Sequence, residues 1–515
     1  MSGRVYVVGA GPGDPGLLTR RGESCLAAAD VVVHDYLVGP RLLGFARAGA
    51  EIVALGRSHD DRDRPSQEAI EALLVERARA GKTVVRLKNG DPFLLGRGAE
   101  EAEALRRAGV PFEIVPGVSS AFAVPAYAGI PLTHREHASL VTIATGHQAR
   151  AGDETAPPAL PWDALARQGG TLVFLMGVRQ MPAILAALVA HGMPAGTPAA
   201  AIRSGTTGAQ ATVVATVGTL AERVRAARLE APGVVVVGSV VELRERIAWF
   251  EGRPLFGRRV VVTRPRAQAG ALAERLEADG AEVIPFPTIA IVPPDDPAPL
   301  ERAVATASGY DWLVFTSANG VDAFFARFAA ARRDVRELAS VRLAAIGPET
   351  AAQLERRLLR VAVAADEYRA EGLVDALAGE DLRGRRVLLP RAAGARALLP
   401  TALGARGARV DEVIAYRAVP PAEADVAGLT AALEAGAVDA VTFTSSSTVR
   451  NFVDLLGPRA TARLVADGRP VVACIGPVTG ETARALGLRV DVMPADYTVP
   501  ALAAALAAHL GGEAR

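Results

Sequence analysis

Three short segments in the rear half of the chain recur at almost one spacing. Arg259-Val-Val-Val-Thr-Arg264 is matched 127 residues later by Arg386-Val-Leu-Leu-Pro-Arg391. Phe315-Thr-Ser-Ala-Asn-Gly-Val321 is matched at 128 by Phe443-Thr-Ser-Ser-Ser-Thr-Val449, and Ile346-Gly-Pro-Glu-Thr350 at 129 by Ile475-Gly-Pro-Val-Thr479. A solenoid repeats every ~20–50 residues, so this period marks two similar lobes instead. Each copy reads as strand, then Ser/Thr/Asn or Gly-Pro, then helix. Ser317, Asn319, Ser445 to Ser447, Pro348 and Pro477 stand where N-caps and first helical residues belong. Helix N-termini offer unpaired N–H groups and positive dipole ends, which favour carboxylates. Two lobes imply a cleft lined with anion sites, and simple capping by the same residues does not exclude that role.

Elsewhere short apolar runs bounded by Gly and Pro alternate with Ala/Leu/Arg-rich stretches. Val5–Val8, Val31–His34, Thr83–Leu87 and Phe112–Val115 read as buried strands, with helices over Gly22–Ala29, Gln67–Ala80 and Ala99–Ala108. The class is α/β with mainly parallel pairing. A second set of strands, Leu140–Ala144, Thr171–Met176, Ala199–Ile202 and Val234–Val237, follows a boundary near residue 135. Ala149 to Pro161 reads as an exposed loop, and Phe250 to Gly257 as a linker. The expected division is 1–252, with subdomains of about 1–135 and 136–250, and then 253–515. The second part comprises lobes of about 258–290 plus 420–515, and 291–419.

Composition narrows the partners. Lys+Arg 57 against Asp+Glu 56 gives a net charge of +1, so nothing global steers the chain to nucleic acid or membrane. Anionic ligands must be held by local arginines. The two cysteines, Cys25 and Cys474, make a disulfide framework unexpected and a reducing compartment expected. Neither a signal peptide nor an 18-residue apolar run without charges is present, so a cytoplasmic protein is expected. No metal is expected.

Near the start, Val5-Tyr-Val-Val-Gly-Ala-Gly-Pro-Gly-Asp-Pro-Gly-Leu-Leu-Thr19 looks like a dinucleotide fingerprint and fails as one. Asp14 stands where the third glycine belongs, and its carboxylate would repel phosphates. Pro12 and Pro15 stiffen the turn. The loop around Gly11 suits a ligand without phosphates that backbone can approach closely, and S-adenosylmethionine fits that description.

Five segments resemble the uroporphyrinogen-III C-methyltransferase family of tetrapyrrole methylases: VGAGPGDPGLLT (Val8–Thr19), VVVHDYLV (Val31–Val38), VVRLKNGDPFLLGRG (Val84–Gly98), VPGVSSAFAVPAYAGIPLTHR (Val115–Arg135) and TLVFLMGV (Thr171–Val178). The resemblance spans roughly residues 3 to 250. It implies a two-subdomain methylase fold that moves methyl groups from S-adenosylmethionine to carbons 2 and 7 of uroporphyrinogen III, giving precorrin-2. It also implies a homodimer formed through this half. On pattern alone Asp35 reads as a turn cap; the resemblance makes it the base that removes a ring proton. Cofactor contacts fall by resemblance on Pro12, Asn89, Gly90, Asp91, Leu94, Ser119, Ser120, Met176 and Gly205, beside Gly11. The family's usual GGD is NGD here. Its Gly-Lys pair appears as Gly56-Arg57, and a guanidinium will not donate a proton near neutral pH, so Arg57 is assigned to carboxylate binding. Arg62, Arg64, Arg97 and Arg135 are further candidates, because the substrate carries eight carboxylates that suit forked donors.

In the rear half VVVTRP (Val260–Pro265), FTSANGV, AIGPETA (Ala345–Ala351), VIAYR (Val413–Arg417), FTSSSTVRNF and CIGPVTGETA (Cys474–Ala483) resemble uroporphyrinogen-III synthase, over about residues 257 to 510. The resemblance implies a bilobal α/β fold that closes hydroxymethylbilane into uroporphyrinogen III, without a cofactor. Tyr416 breaks the repeat, with Ile289 opposite it, and takes the place of that family's candidate acid. Arg264, Arg391 and Arg417 are expected carboxylate partners, with Ser317, Gly347, Thr444, Ser445, Ser446 and Gly476 at the helix starts. Two rivals remain: a methylase of another precorrin, protein or RNA, and a rear half that senses a tetrapyrrole without turning it over. The near-neutral charge disfavours RNA.

Overall fold

The structure, a computed structural model, describes residues 3–47, 49–56, 65–147, 157–264, 266–365, 370–419, 421, 425–465 and 468–512, without the side chains of 266–269. They form four sheets. In the first, five strands lie in the order Glu51–Leu55, Val31–Asp35, Thr83–Lys88, Arg4–Gly9 and Phe112–Val115, all parallel. Helices Arg20–Ala27, Gln67–Arg79 and Gly98–Arg107 connect them. Val5, Val7, Val8, Val32, Val33, Val84 and Val85 are fully buried, the near-continuous apolar runs of strands covered on both faces. The edge strand Glu51–Leu55 is mostly exposed or half-buried, although four of its five residues are apolar.

The second sheet runs Val141–Thr145, Thr171–Leu175, Gly233–Val237, Pro198–Arg203 and Ala211–Thr216. Here the expectation of mainly parallel pairing fails. Only the first pair is parallel; the other three are antiparallel. Pro198–Arg203 and Ala211–Thr216 are joined by residues 204–210, a loop too short for the crossover that parallel pairing requires.

The two rear sheets resolve the internal repeat. One runs Glu282–Pro285, Arg259–Val262, Ala440–Phe443, Val471–Cys474, all parallel. The other runs Ala290–Val292, Arg409–Val419, Arg386–Ala392, Trp312–Phe315, Arg342–Ala345, Val363–Ala364, parallel except at Ala290–Val292. The first motif strand of each copy therefore lies in one sheet with the last two of the other copy, paired directly with the nearer of them. Arg259–Val262 joins Ala440–Phe443 and Val471–Cys474, while Arg386–Ala392 joins Trp312–Phe315 and Arg342–Ala345. By backbone contacts the chain divides into two compact units, Met1–Phe286 with Val426–Arg515, and Pro287–Asp425. In the second unit, helix Ala318–Ala330 drives Phe324, Phe325 and Phe328 into the core, each burial worth ~1.5–3 kcal/mol.

Candidate active sites

The front site begins at the carboxyl ends of the parallel strands, where open α/β sheets hold ligands. Gly11 and Gly90 exchange two backbone hydrogen bonds, Gly11 N–H to Gly90 O at 3.2 Å and Gly90 N–H to Gly11 O at 2.8 Å. A Cβ on Gly117 would sit 2.2 Å from the Gly90 carbonyl oxygen, so this contact requires glycine. Asp91 staples the same loops, accepting from Gly117 N–H at 3.0 Å and Phe93 N–H at 2.8 Å. Its carboxylate is thus occupied in holding the loop that carries Asn89 and Gly90. Ser119 caps helix Ser120–Tyr127 by accepting from Ala121 N–H, and the Gly90 backbone lies against Ser119 and Ser120. Leu94 packs against the apolar cluster around Val124 and Ile202.

The loop 204–210 reaches this cluster from the second sheet. Asp14 N–H donates to Thr206 Oγ1 at 3.0 Å, and a Cβ on Gly13 (φ 152°) would meet Thr207 Cγ2 at 2.8 Å. Gly205 abuts Val124 so closely that a Cβ would lie 2.4 Å from it. Gly11, Gly90, Ser119, Ser120 and Gly205 are therefore drawn into one neighbourhood, with Pro12 on its glycine loop. Met176, half exposed, ends the strand Thr171–Leu175 in the left-handed conformation. Leu95, Arg97, Met176, Ser204 and Thr206 make five of the eight positive-φ non-glycine residues described. Such strain, on the order of 1–3 kcal/mol per residue, collects at ligand sites.

Asp14 has another task besides its expected repulsion of phosphate. Its Oδ1 accepts from Gly16 N–H at 2.7 Å and its Oδ2 accepts from the Tyr127 hydroxyl at 2.7 Å. Burial first, then that hydrogen bond, pushes the Tyr127 phenol well above its ordinary range. Thr19 caps the next helix by accepting from Gly22 N–H. Both helix starts after the glycine loop are thus capped from within, at Gly16 N–H and Gly22 N–H.

Asp35 closes the strand Val31–Asp35 with its side chain 18 % exposed, and its Oδ1 accepts from Arg86 Nη2 at 2.5 Å. Arg97 is exposed and pairs with Glu100 at 2.6 Å; Arg135 is exposed in the turn before Ala138. Arg57, with Arg62 and Arg64, lies outside the described residues. His134, Glu136 and His137 bring their ligand-type atoms within 4.8 Å of one another. His134 Nδ1 accepts from Glu136 N–H at 3.2 Å, so this nitrogen is engaged in locking the turn.

In the unit 287–425, Ser317 caps helix Ala318–Ala330 through Gly320 N–H and meets the Tyr416 hydroxyl at 2.9 Å. Tyr416 is nearly buried, so its phenol is a held hydroxyl beside a helix start. Gly347, extended, caps the helix that opens with Pro348. Arg391 is buried and donates to Glu412 at 3.1 Å and to the Arg396 carbonyl at 2.5 Å; Arg417 pairs with Asp295 at 2.9 Å. In the lobe that ends the chain, Ser445, which follows Thr444, caps helix Ser446–Thr461, and Gly476 caps the helix beginning at Pro477. Ser446 donates to the Val478 carbonyl at 3.1 Å and accepts from Thr482 at 2.8 Å. Arg264 is nearly buried at the end of its strand.

Similarity to known proteins follows the same two halves. The family described as Tetrapyrrole (Corrin/Porphyrin) Methylases matches residues 4–221, and that described as Uroporphyrinogen-III synthase HemD matches residues 270–504. A "Porphyrin biosynthesis protein HemD" of Ruminiclostridium josui is 36% identical over 488 residues, 95% of this chain and 94% of that protein. The chain belongs to both families, one in each half. A "Uroporphyrinogen-III C-methyltransferase" of Bacillus subtilis is 38% identical over 357 residues, 69% of this chain and 72% of that one. A "Siroheme synthase" of Stutzerimonas stutzeri is 48% identical over 256 residues, and this chain spans about half of that protein's length.

Several residues of the methylase half escaped the sequence reading. Arg86, Lys88 and Glu101 are charged residues in segments that read as strand and helix, and only their shared burial singles them out. Thr206 and Tyr127 come to Asp14 from distant segments. In the synthase half Tyr497, half exposed, packs on Gly476, where a Cβ would lie 3.0 Å from its ring. Val478, whose carbonyl accepts from Ser446, and Met493, close to Gly480, are exposed apolar side chains as well. An aromatic in a chain with only 5% aromatic residues was the available signal.

Proposed function

We propose that the chain catalyses two successive steps of tetrapyrrole synthesis, with residues 1–252 as the methylase and 253–515 as the synthase. The rear half would cyclise hydroxymethylbilane to uroporphyrinogen III with inversion of ring D. The front half would then methylate carbons 2 and 7 to give precorrin-2, on the way to sirohaem or cobalamin. The observation that carries the methylase reading is the Asp35 carboxylate at a strand's carboxyl end, in the sheet whose glycine loop is capped from within.

S-adenosylmethionine, when bound, supplies an electrophilic methyl group on a sulfonium, which needs no phosphate site. Gly11, Gly90 and Gly205 would let backbone approach it, with Pro12, Asn89, Asp91, Leu94, Ser119, Ser120 and Met176 around it. Orientation and exclusion of water supply most of the help for in-line transfer. The methylated ring is cationic, and Asp35 takes a proton from ring carbon; the C–H electron pair then neutralises the macrocycle and the carboxylate becomes the acid. Arg57, Arg97 and Arg135 would hold substrate carboxylates.

In the synthase half Tyr416 would give its proton to the departing hydroxyl of hydroxymethylbilane, so that the C–O bond breaks with loss of water. Ser317 would hold the phenol; Gly347, Arg391 and Arg417 in the unit 287–425, and Arg264, Thr444 to Ser446 and Gly476 in the other unit, would each bind acid side chains of the substrate. Buried, free Cys25 and Cys474 suit a reducing cytoplasm, and no described helix is long and apolar enough to cross a membrane. The test is to give the full chain hydroxymethylbilane with and without S-adenosylmethionine. Isomer III should form in both cases and precorrin-2 only with the methyl donor. Isomer I alone would reduce the rear half to a binding module.

A further inference from the structure

A buried chain of charge stands behind Asp35, and methylation as described above makes no use of it. Arg86 lies on the strand Thr83–Lys88 in the middle of the sheet and is 2 % exposed. Its guanidinium bridges two carboxylates: Nη2 donates to Asp35 at 2.5 Å and Nε to Glu101 Oε1 at 3.1 Å, while Nη1 donates to the Leu87 carbonyl at 3.2 Å. Lys88, two residues on and so on the same strand face, donates to the same Glu101 oxygen at 2.9 Å. Glu101 is fully buried in the first turn of helix Gly98–Arg107, where the helix dipole favours a carboxylate, and its Oε2 has no described partner. Burial, and then Arg86, push the Lys88 ammonium down.

Burying ions costs several kcal/mol each, so this arrangement is expensive as plain architecture. One guanidinium beside a lone carboxylate would lower its pKa by about 1–3 units and leave a poor base. Here a second carboxylate sits on the other side of the same guanidinium. Charged and titratable groups near Asp35 include Arg86 and Lys88 from one strand, Glu101 from the helix, and His34 beside it. His34 Nδ1 lies 2.9 Å from the Asp35 carbonyl oxygen. Within this set Arg86 and Lys88 face the two carboxylates of Asp35 and Glu101.

The geometry points to Arg86 as the positioning residue that aims the Asp35 carboxylate, and to Glu101 as the counter-charge that keeps Asp35 basic enough to accept a ring proton. This rests on the reading of Asp35 as the base of the methylase half. In the proton step the Asp35 oxygen forms the new O–H bond, the C–H pair stays with the ring, and Arg86 keeps its own protons.

The full-length enzyme would be assayed with uroporphyrinogen III and S-adenosylmethionine, recording kcat/KM against pH. Glu101→Gln exposes Asp35 to uncompensated positive charge. Its acid limb should move down by about one pH unit, and its plateau should fall about tenfold. Arg86→Gln should move the limb up by about one unit. Arg86→Lys keeps the charge but not the fork, so the limb should stay while kcat falls and KM for S-adenosylmethionine holds. Limbs that stay fixed or move together would overturn the proposal while Asp35→Asn still abolishes the limb. If Asp35→Asn keeps the wild-type limb and rate, the base reading itself is wrong. If Arg86→Gln does not fold, Glu101→Gln and Arg86→Lys decide, and wild-type profiles in both overturn it.

Discussion

Asp35 in the methylase half and Tyr416 in the synthase half are set up by opposite means. Asp35 is partly exposed and is held by a buried guanidinium with further charges behind it. Tyr416 is nearly buried, and its hydroxyl meets another hydroxyl, that of Ser317, at a helix start. The difference follows from the proton each would handle. A base that receives a proton from a cation must stay ionised near neutral pH, and the field around a carboxylate decides that. A phenol that gives a proton to a leaving oxygen is already neutral, so positioning suffices.

The comparison breaks most visibly at Asp35. Asp35→Asn should cost methylation about 10²–10⁴-fold and leave cyclisation of hydroxymethylbilane intact, read by precorrin-2 against isomer III formation in one enzyme. Loss of both activities would mean that the halves are not chemically separate. Gly13→Ala comes next: the new Cβ meets Thr206 and Thr207 and the backbone conformation is strained. Calorimetry should show S-adenosylhomocysteine binding at least about tenfold weaker, with uroporphyrinogen III formation unchanged. Tyr416→Phe should slow cyclisation about tenfold with little change in KM, because orientation supplies most of the rate. Unchanged isomer III formation in that variant would make the phenol a packing residue.

The smallest effect concerns stability. Glu277 pairs with Arg41 at 2.8 Å, yet burial dominates and raises its carboxyl to about 7. A raised carboxyl means that the folded state holds a proton the unfolded state has already lost. Stability should therefore fall as pH rises from about 4.5 to about 7 and level off above that. Glu277→Gln should remove this slope from Tm measured across the interval.

Much of the fold was legible because it is written locally. The buried strands Arg4–Gly9, Val31–Asp35 and Thr83–Lys88 appear as apolar runs, and Ser317 and Ser445 announce their helices by type and place. The strands of the methylase half that escaped, Glu51–Leu55 and Ala211–Thr216, are both sheet edges whose residues are mostly exposed or half-buried. The candidate site divides the same way. Glycines at Gly11 and Gly90 mark a close approach by their type, whereas Arg86 and Glu101 look like any surface charges on a strand and a helix.

Sequence alone determined the α/β class, the doubled rear half and the glycine loop unsuited to phosphate, because periodicity, capping and backbone sterics act over a few residues. Only the tertiary structure decided that the two copies exchange their first strands, that Thr206 comes to Asp14 across 192 positions, and that Asp35 shares a guanidinium with Glu101. Such pairings depend on how distant segments pack and on which charges are buried together, and no local pattern in one chain records either.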